Sequence, residues 1–252
     1  MIKGLFQLIS GIIRLAFFLI VFLLIFHTWA IKQILTYSLS YTLGADVIIQ
    51  DVKMDWRNSG FEVNGISILN PYSFPRDRLA DIPLAIVSVD MASIPQGRLH
   101  LKTVGFNLRE LQVMNAPKQG LNVLALKPIQ KAKEVEETFA PPTRERRGNS
   151  EKALFSIDEL IFSVGDITYL DMRSGVTKQN LYHAGISGAT YYDIRGADDI
   201  VVIVAIEALK KMGFGSLNAQ LQKIQNRYLP NTVNYGDFFS RTVSAIKEKI
   251  SS

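Results

Sequence analysis

Two periods of hydrophobicity divide this chain. Residues 15–30 read LAFFLIVFLLIFHTWA, almost unbroken hydrocarbon, and IKQILTYSLSYTL continues them as helix. From Val47 the period drops to two: VIIQDVKMDW, FEVNGISIL, IVSVDMA, RLHLKTVGFNLRELQV, FSIDELIFSV, ITYLDM and LYHAGISGATYYDI each alternate apolar with polar residues. Asn58-Ser59-Gly60, Asn70-Pro71, Pro95-Gln96-Gly97 and Ser174-Gly175 punctuate these runs as turns. After Gly97, Leu99 and Leu101 point one way while Arg98, His100 and Lys102 point the other, as in an antiparallel sheet with one apolar face. Near residue 198 the period becomes helical again. DDIVVIVAIEALKKM opens on acids and closes on Lys210 and Lys211, matching the helix dipole at both ends, and Gly213 and Gly215 stop it. Residues 217–228 predict a second helix before Pro230. In 237–252, Phe239, Val243, Ile246 and Ile250 recur at helical spacing.

The pattern predicts an α+β fold: an N-terminal transmembrane helix, then a mostly antiparallel β-sheet, which the family resemblance given below implies is curved and groove-like, with C-terminal helices. It divides into a membrane anchor at 1–43, a first strand group at 44–127, a charged linker or loop at 128–152, a second strand group at 153–196 and helices at 197–252. Residues 15–35 supply the roughly 20 apolar residues that a bilayer crossing needs. Their Leu, Ile, Phe and Val side chains each favour insertion by about 0.3–0.6 kcal/mol. Lys32, near the end of that helix, reaches the headgroups on its flexible stem. The rival reading is a cleaved signal peptide, but the run is long and no small-x-small cleavage site follows it. Lys3 and Arg14 before the span against Lys32 after it place the N-terminus in the cytoplasm and export the bulk of the chain. The stretch QKAKEVEETFAPPTRERRGNSEK interrupts the strands, and the groups on either side form one sheet or two domains. The tail helices cover a sheet face, or the last of them docks a membrane or a partner.

Composition narrows the chemistry. The chain of 252 residues has no cysteine, which excludes disulfides, thiolate catalysis and Cys-based zinc sites. The net charge of +5 is spread among interleaved acids, without the basic stripe that nucleic acid requires. Of three histidines, His27 lies in the apolar run while His100 and His183 lie in strands, and no H-x-x-x-H or H-E-x-x-H spacing occurs. Gly185-Ile186-Ser187-Gly188 lacks one residue of a nucleophile elbow and reads as a bulge or tight turn. Gly213-Phe214-Gly215 reads as a helix stop rather than a dinucleotide loop. Asp158 and Glu159 are adjacent on a strand and point to opposite faces. No catalytic, cofactor or metal residue is assigned, and no enzyme activity is expected.

The order of the strand motifs resembles the N-terminal part of AsmA-like proteins of Gram-negative bacteria. The resemblance runs through the anchor, FEVNGISILNPYSF, IVSVDMASIPQGRLHLKTVGFNLRELQV, GLNVLALK and SIDELIFSVGDITYLDMRSG, over residues 1–193. It implies an inner-membrane-anchored, periplasmic protein whose sheet forms a greasy groove for lipid acyl chains, hence a role in phospholipid transport or envelope maintenance. Family members usually continue for hundreds of residues of repeated strands. Eight or so strands span about 40 Å, too little for one copy to bridge two membranes. The residues expected to face lipid are Phe61, Val63, Leu99, Leu101, Phe155, Ile157, Ile167 and Tyr169. Ile66 and Ile68 change parity after Gly65, which predicts a bulge there. The expected partners are membrane, phospholipid, and an envelope protein or further copies of the chain. The alternative is a non-catalytic assembly subunit of an envelope complex.

Overall fold

The computed structural model describes residues 2–55, 59–138 and 155–213. Helix α1 (Ile2–Leu43) leads into an antiparallel meander of β1 (Val47–Asp55), β2 (Gly60–Leu69), β3 (Arg78–Val89) and β4 (Leu99–Ala116). The two-residue β5 (Gly120–Leu121) folds back on the end of β4, and α2 (Lys127–Thr138) follows. Then β6 (Phe155–Asp171) runs parallel to β4, β7 (Lys178–Ile194) runs antiparallel to β6, and α3 (Ala197–Lys211) closes the described fold. The spatial order is β1-β2-β3-β4-β6-β7. Both strand groups therefore belong to one sheet. That sheet is mixed, because the long connection through α2 carries the chain back to start β6 beside the start of β4. The expected helices at 217–228 and 237–252, and the part of the charged stretch from 139 onward, lie outside the described residues.

The expected transmembrane anchor is corrected. Among the described residues no helix is long and apolar enough to cross a membrane. The single-pass inner-membrane placement, with a cytoplasmic N-terminus and a periplasmic bulk, is corrected with it. Part of the reason lies in how α1 uses its apolar residues. Ile31, Leu35 and Leu39 pack against the core of the sheet. Lys32, assigned above to lipid headgroups, donates from Nζ to the Gln50 carbonyl at 2.9 Å. The Ser40 hydroxyl accepts from the Val47 N–H at 3.0 Å. The segment counted as the second half of a span is thus a docking face for β1.

Register explains the core. Val52, Val63, Ala85, Phe106, Phe162 and Ala189 are successive cross-strand partners from one edge of the sheet to the other. Val47, Ile68, Ala80, Leu111, Ile167 and Tyr182 form a second such row. All twelve belong to, or pack against, a single apolar cluster, to which α2 adds Ile129 and α3 adds Ile203, Ile206 and Leu209. In the centre Phe106, Phe162 and Tyr191 stack with centroids 5.6 and 5.7 Å apart and planes within 12°, an offset geometry that adds about 0.5–1.5 kcal/mol per pair to the burial itself.

Strict alternation does not hold along these strands. Core residues keep period two and then skip one position: Ile49 to Val52, Val63 to Ile66, Ile82 to Ala85, Leu108 to Leu111, Val164 to Ile167, Ile186 to Ala189. Residues three apart should face opposite ways, so each strand turns over at its skip. Through β1, β2, β3, β4 and β6 the pairing register is the same before and after the skip, so those strands turn over together. Only between β6 and β7 does the register shift. Gly65 (φ 62°), Pro83, Gly165 and Gly188 (φ 61°) occupy four of the skips. A second skip crosses Leu101–Val104, Ile157–Leu160 and Tyr191–Ile194, where Asp193 has φ 59°.

At Gly165 a Cβ would stand 2.7 Å from the Arg109 carbonyl oxygen across the parallel seam. Gly165→Ala is therefore expected to cost about 1–3 kcal/mol. Urea unfolding of the full chain should register this as a lower midpoint with an unchanged slope. An unchanged midpoint would mean that the seam yields at no cost.

Candidate functional site: the apolar face over the middle strands

The helices lie over the core face of the sheet and contact one another. α1 packs along β1, α3 packs on β6 and β7, and α2 contacts both α1 and α3. An ion pair from Lys131 to Asp198 (2.9 Å) ties α2 to the start of α3. On the middle strands Phe61 and Ile68 of β2, Ile82 and Val87 of β3 and Phe106 of β4 pack against the core yet stay half-buried. Phe61 pairs with Val87, and Ala85 with Phe106, so these side chains adjoin one another across the ladder. The half-buried positions form two groups, Phe61, Val87 and Phe106 towards one end of these strands and Ile68 and Ile82 towards the other, with Val63, Ile66 and Ala85 buried between them.

The eight residues expected to face lipid fall into three groups. Val63, Leu101, Ile157, Ile167 and Tyr169 are buried members of the main core. Phe61 and Phe155 are half-buried against it. Leu99, register partner of Phe155, is 44% exposed and stands outside the cluster. Ile157 and Ile167, at 1% and 0% exposure, are fully enclosed and pack as core. Ile82, Val87 and Phe106, half-buried on the same face as Phe61, were not among the expected residues. Their signal was the cross-strand register, which no single strand reveals.

The polar clusters are ion pairs and hydrogen bonds between strands and turns. His100 Nε2 lies 2.8 Å from Asp158 and its Nδ1 lies 3.5 Å from Asp90, joining β6 to the loop after β3. His183 Nδ1 lies 2.6 Å from Asp166, its partner across β6 and β7. Asp81, buried on the reverse face, is held by Arg78 at 3.5 Å and by Arg109. Among the described residues no three His, Cys, Asp or Glu side chains form a group that fits a metal. The Gly185-Ile186-Ser187-Gly188 stretch lies in β7 at its skip, where the Gly188 N–H donates to the Ser163 hydroxyl at 3.0 Å.

The motif FEVNGISILNPYSF acquires a physical account. Asn122, fully buried in the turn after β5, accepts from the Met114 and Val123 N–H groups (both 2.9 Å). It donates to the Gln112 carbonyl (2.9 Å) and to Asn70 Oδ1 (2.7 Å). Asn70 in turn donates to the Pro75 carbonyl, so two amides join the β2–β3 loop to the β4–β5 turn. Phe74 covers Met114 and Leu170 in a second, small core on the reverse face. Tyr72 donates to Asp46, beside an Arg76–Asp46 pair at 2.7 Å, and that hydrogen bond raises the phenol pKa. At the start of α3, burial raises the Asp199 pKa.

No family model, no curated protein and no solved structure matches this chain. The likeness to AsmA-like proteins therefore rests on the sequence motifs alone.

Two outcomes test this account. Asn122→Ala strands two N–H donors and a carbonyl in the interior, and is expected to cost about 2–4 kcal/mol in urea unfolding. The second concerns Asp171, which accepts from both the backbone N–H and the guanidinium of Arg173; these bonds hold its pKa down to about 2. A depressed pKa stabilises the fold above the unfolded value of about 3.9 and loses that contribution as pH falls toward the folded value. Carboxyl NMR should find Asp171 ionised at pH 3 in the wild type, with the midpoint moving up toward the ordinary carboxylate range in Arg173→Gln.

Proposed function

We propose that this chain handles lipid, laying an acyl chain on the apolar track of β2, β3 and β4. The observation that carries the reading is the half-burial of Phe61, Ile82, Val87 and Phe106 on the core face of β2, β3 and β4. Burying an acyl chain contributes about 0.8 kcal/mol per methylene, so a dozen buried methylenes would hold it firmly. The order of AsmA-like motifs supports the same reading, with phospholipid as the ligand class. No bond is made or broken; the chain's task in this reading is to hold or hand on its cargo.

Lipid extraction of the purified full chain, with mass spectrometry, is expected to recover phospholipid or fatty acid. Val87→Asp places a carboxylate on the track and should weaken binding of a fluorescent long-chain fatty acid at least tenfold while the urea midpoint stays measurable. A wild type that carries no lipid and binds none would overturn the proposal, as would equal binding by a folded Val87→Asp variant.

A further inference from the structure

Helix α1 carries a second apolar face that the sheet does not use. At about 100° of rotation per residue, Ile12, Leu15, Leu19, Ile34, Tyr37 and Tyr41 fall within one sector of about 100°. Ile31, Leu35 and Leu39, which dock on the core of the sheet, centre about 150° away. None of the six packs against that core, and each is between 58% and 74% exposed. The stripe they define is about 44 Å long, more continuous apolar surface than a chain ordinarily leaves in water. Towards its N-terminal end, residues 11–19 are exposed on every side of the helix.

Charge indicates what covers the stripe. Residues 1–45 contain Lys3, Arg14 and Lys32 and no acid; all 23 Asp and Glu residues of the chain come later. Lys127 adds a cation at the far end, its Nζ 4.7 Å from the centroid of the Tyr41 ring. A second copy of α1 would set cations against cations with no carboxylate to answer them, which disfavours self-pairing. A lipid surface with anionic headgroups answers both features. Its hydrocarbon receives the Ile and Leu side chains, and its phosphates attract the Lys and Arg side chains. Tyr37 and Tyr41 have apolar bodies and polar tips that suit the boundary between the two, as does Trp29 beside the stripe. No crossing is involved, since the sheet occupies one side of α1 and the stripe the other. We propose that α1 lies in the plane of an anionic lipid surface along its Ile12–Tyr41 stripe and holds the sheet beside that surface. This inference is independent of the acyl-chain reading.

Vesicle flotation of the full chain tests it. Binding is expected on vesicles of mixed phosphatidylcholine and phosphatidylglycerol, and should be at least tenfold weaker on phosphatidylcholine alone. L15E/Y37E places a carboxylate in each half of the stripe and should weaken binding to the mixed vesicles at least tenfold. Ile48→Glu, at an exposed position of β1 away from the stripe, should leave it unchanged. All these positions are exposed, and far-UV circular dichroism confirms that each variant keeps its fold. Val87→Asp should float like the wild type, so this proposal and the acyl-chain reading can fail separately. In a Trp56→Phe background, bromines near the lipid headgroups should quench Trp29 fluorescence more than bromines near the chain ends. A wild type that ignores the mixed vesicles overturns the proposal, as does equal binding by a folded L15E/Y37E variant. Equal binding to both vesicle types, or strongest quenching at the bilayer centre, overturns it as well.

Discussion

The rest of the fold depends on the parallel pairing of β4 with β6. It joins a four-stranded meander to a two-stranded hairpin, and its register runs from Leu99–Phe155 to Asn115–Asp171. Without it, Phe106 and Phe162 would not stack, and the apolar rows would end at β4. The seam also positions the helices. The connection that makes β6 parallel carries α2, and the chain leaving β7 carries α3 back over β6 and β7, where α2 meets it. Two strand groups that each expose an apolar face thereby share one core.

Much of this was legible in the chain. Alternation located the long strands and the charge pattern of 198–212 located α3; the parity change after Gly65 is a turning-over of the strand in unshifted register, not the expected bulge. What was not legible is cooperative. A skip at Leu108 or Val164 looks like noise in one strand and acquires meaning only when its neighbours skip in the same row. The parallel seam was hidden for a similar reason, since alternation reports which face a residue takes and not which strand lies beside it. At the N-terminus, hydropathy counted Ile31 and Leu35 as lipid-facing because it cannot distinguish a bilayer from the greasy face of a sheet. Of the expected lipid contacts, Ile157 and Ile167 are enclosed in the core.

The candidate site follows from the unequal covering of one face. The helices pack over the core face, and a few side chains on β2, β3 and β4 stay half-buried among sealed neighbours. An enclosed core of Val, Leu and Ile contributes stability without accepting a ligand, whereas a row of half-covered Phe, Ile and Val retains apolar surface to give. The buried amides of Asn70 and Asn122 hold the adjoining turns in place from the interior, leaving the track itself free of polar groups.

The seam also imposes an order on synthesis. When β4 leaves the ribosome its β6 partner does not yet exist, and residues up to Asp171 must follow before the ladder can close. At about 5–20 residues per second that interval lasts roughly three to eleven seconds. Throughout it the meander carries the long, unpaired outer edge of β4 at its growing margin, a non-local contact waiting on distant sequence. The nascent chain's exposure to misassociation is thus written into the distance between two neighbouring strands, and a holding chaperone would find its substrate there.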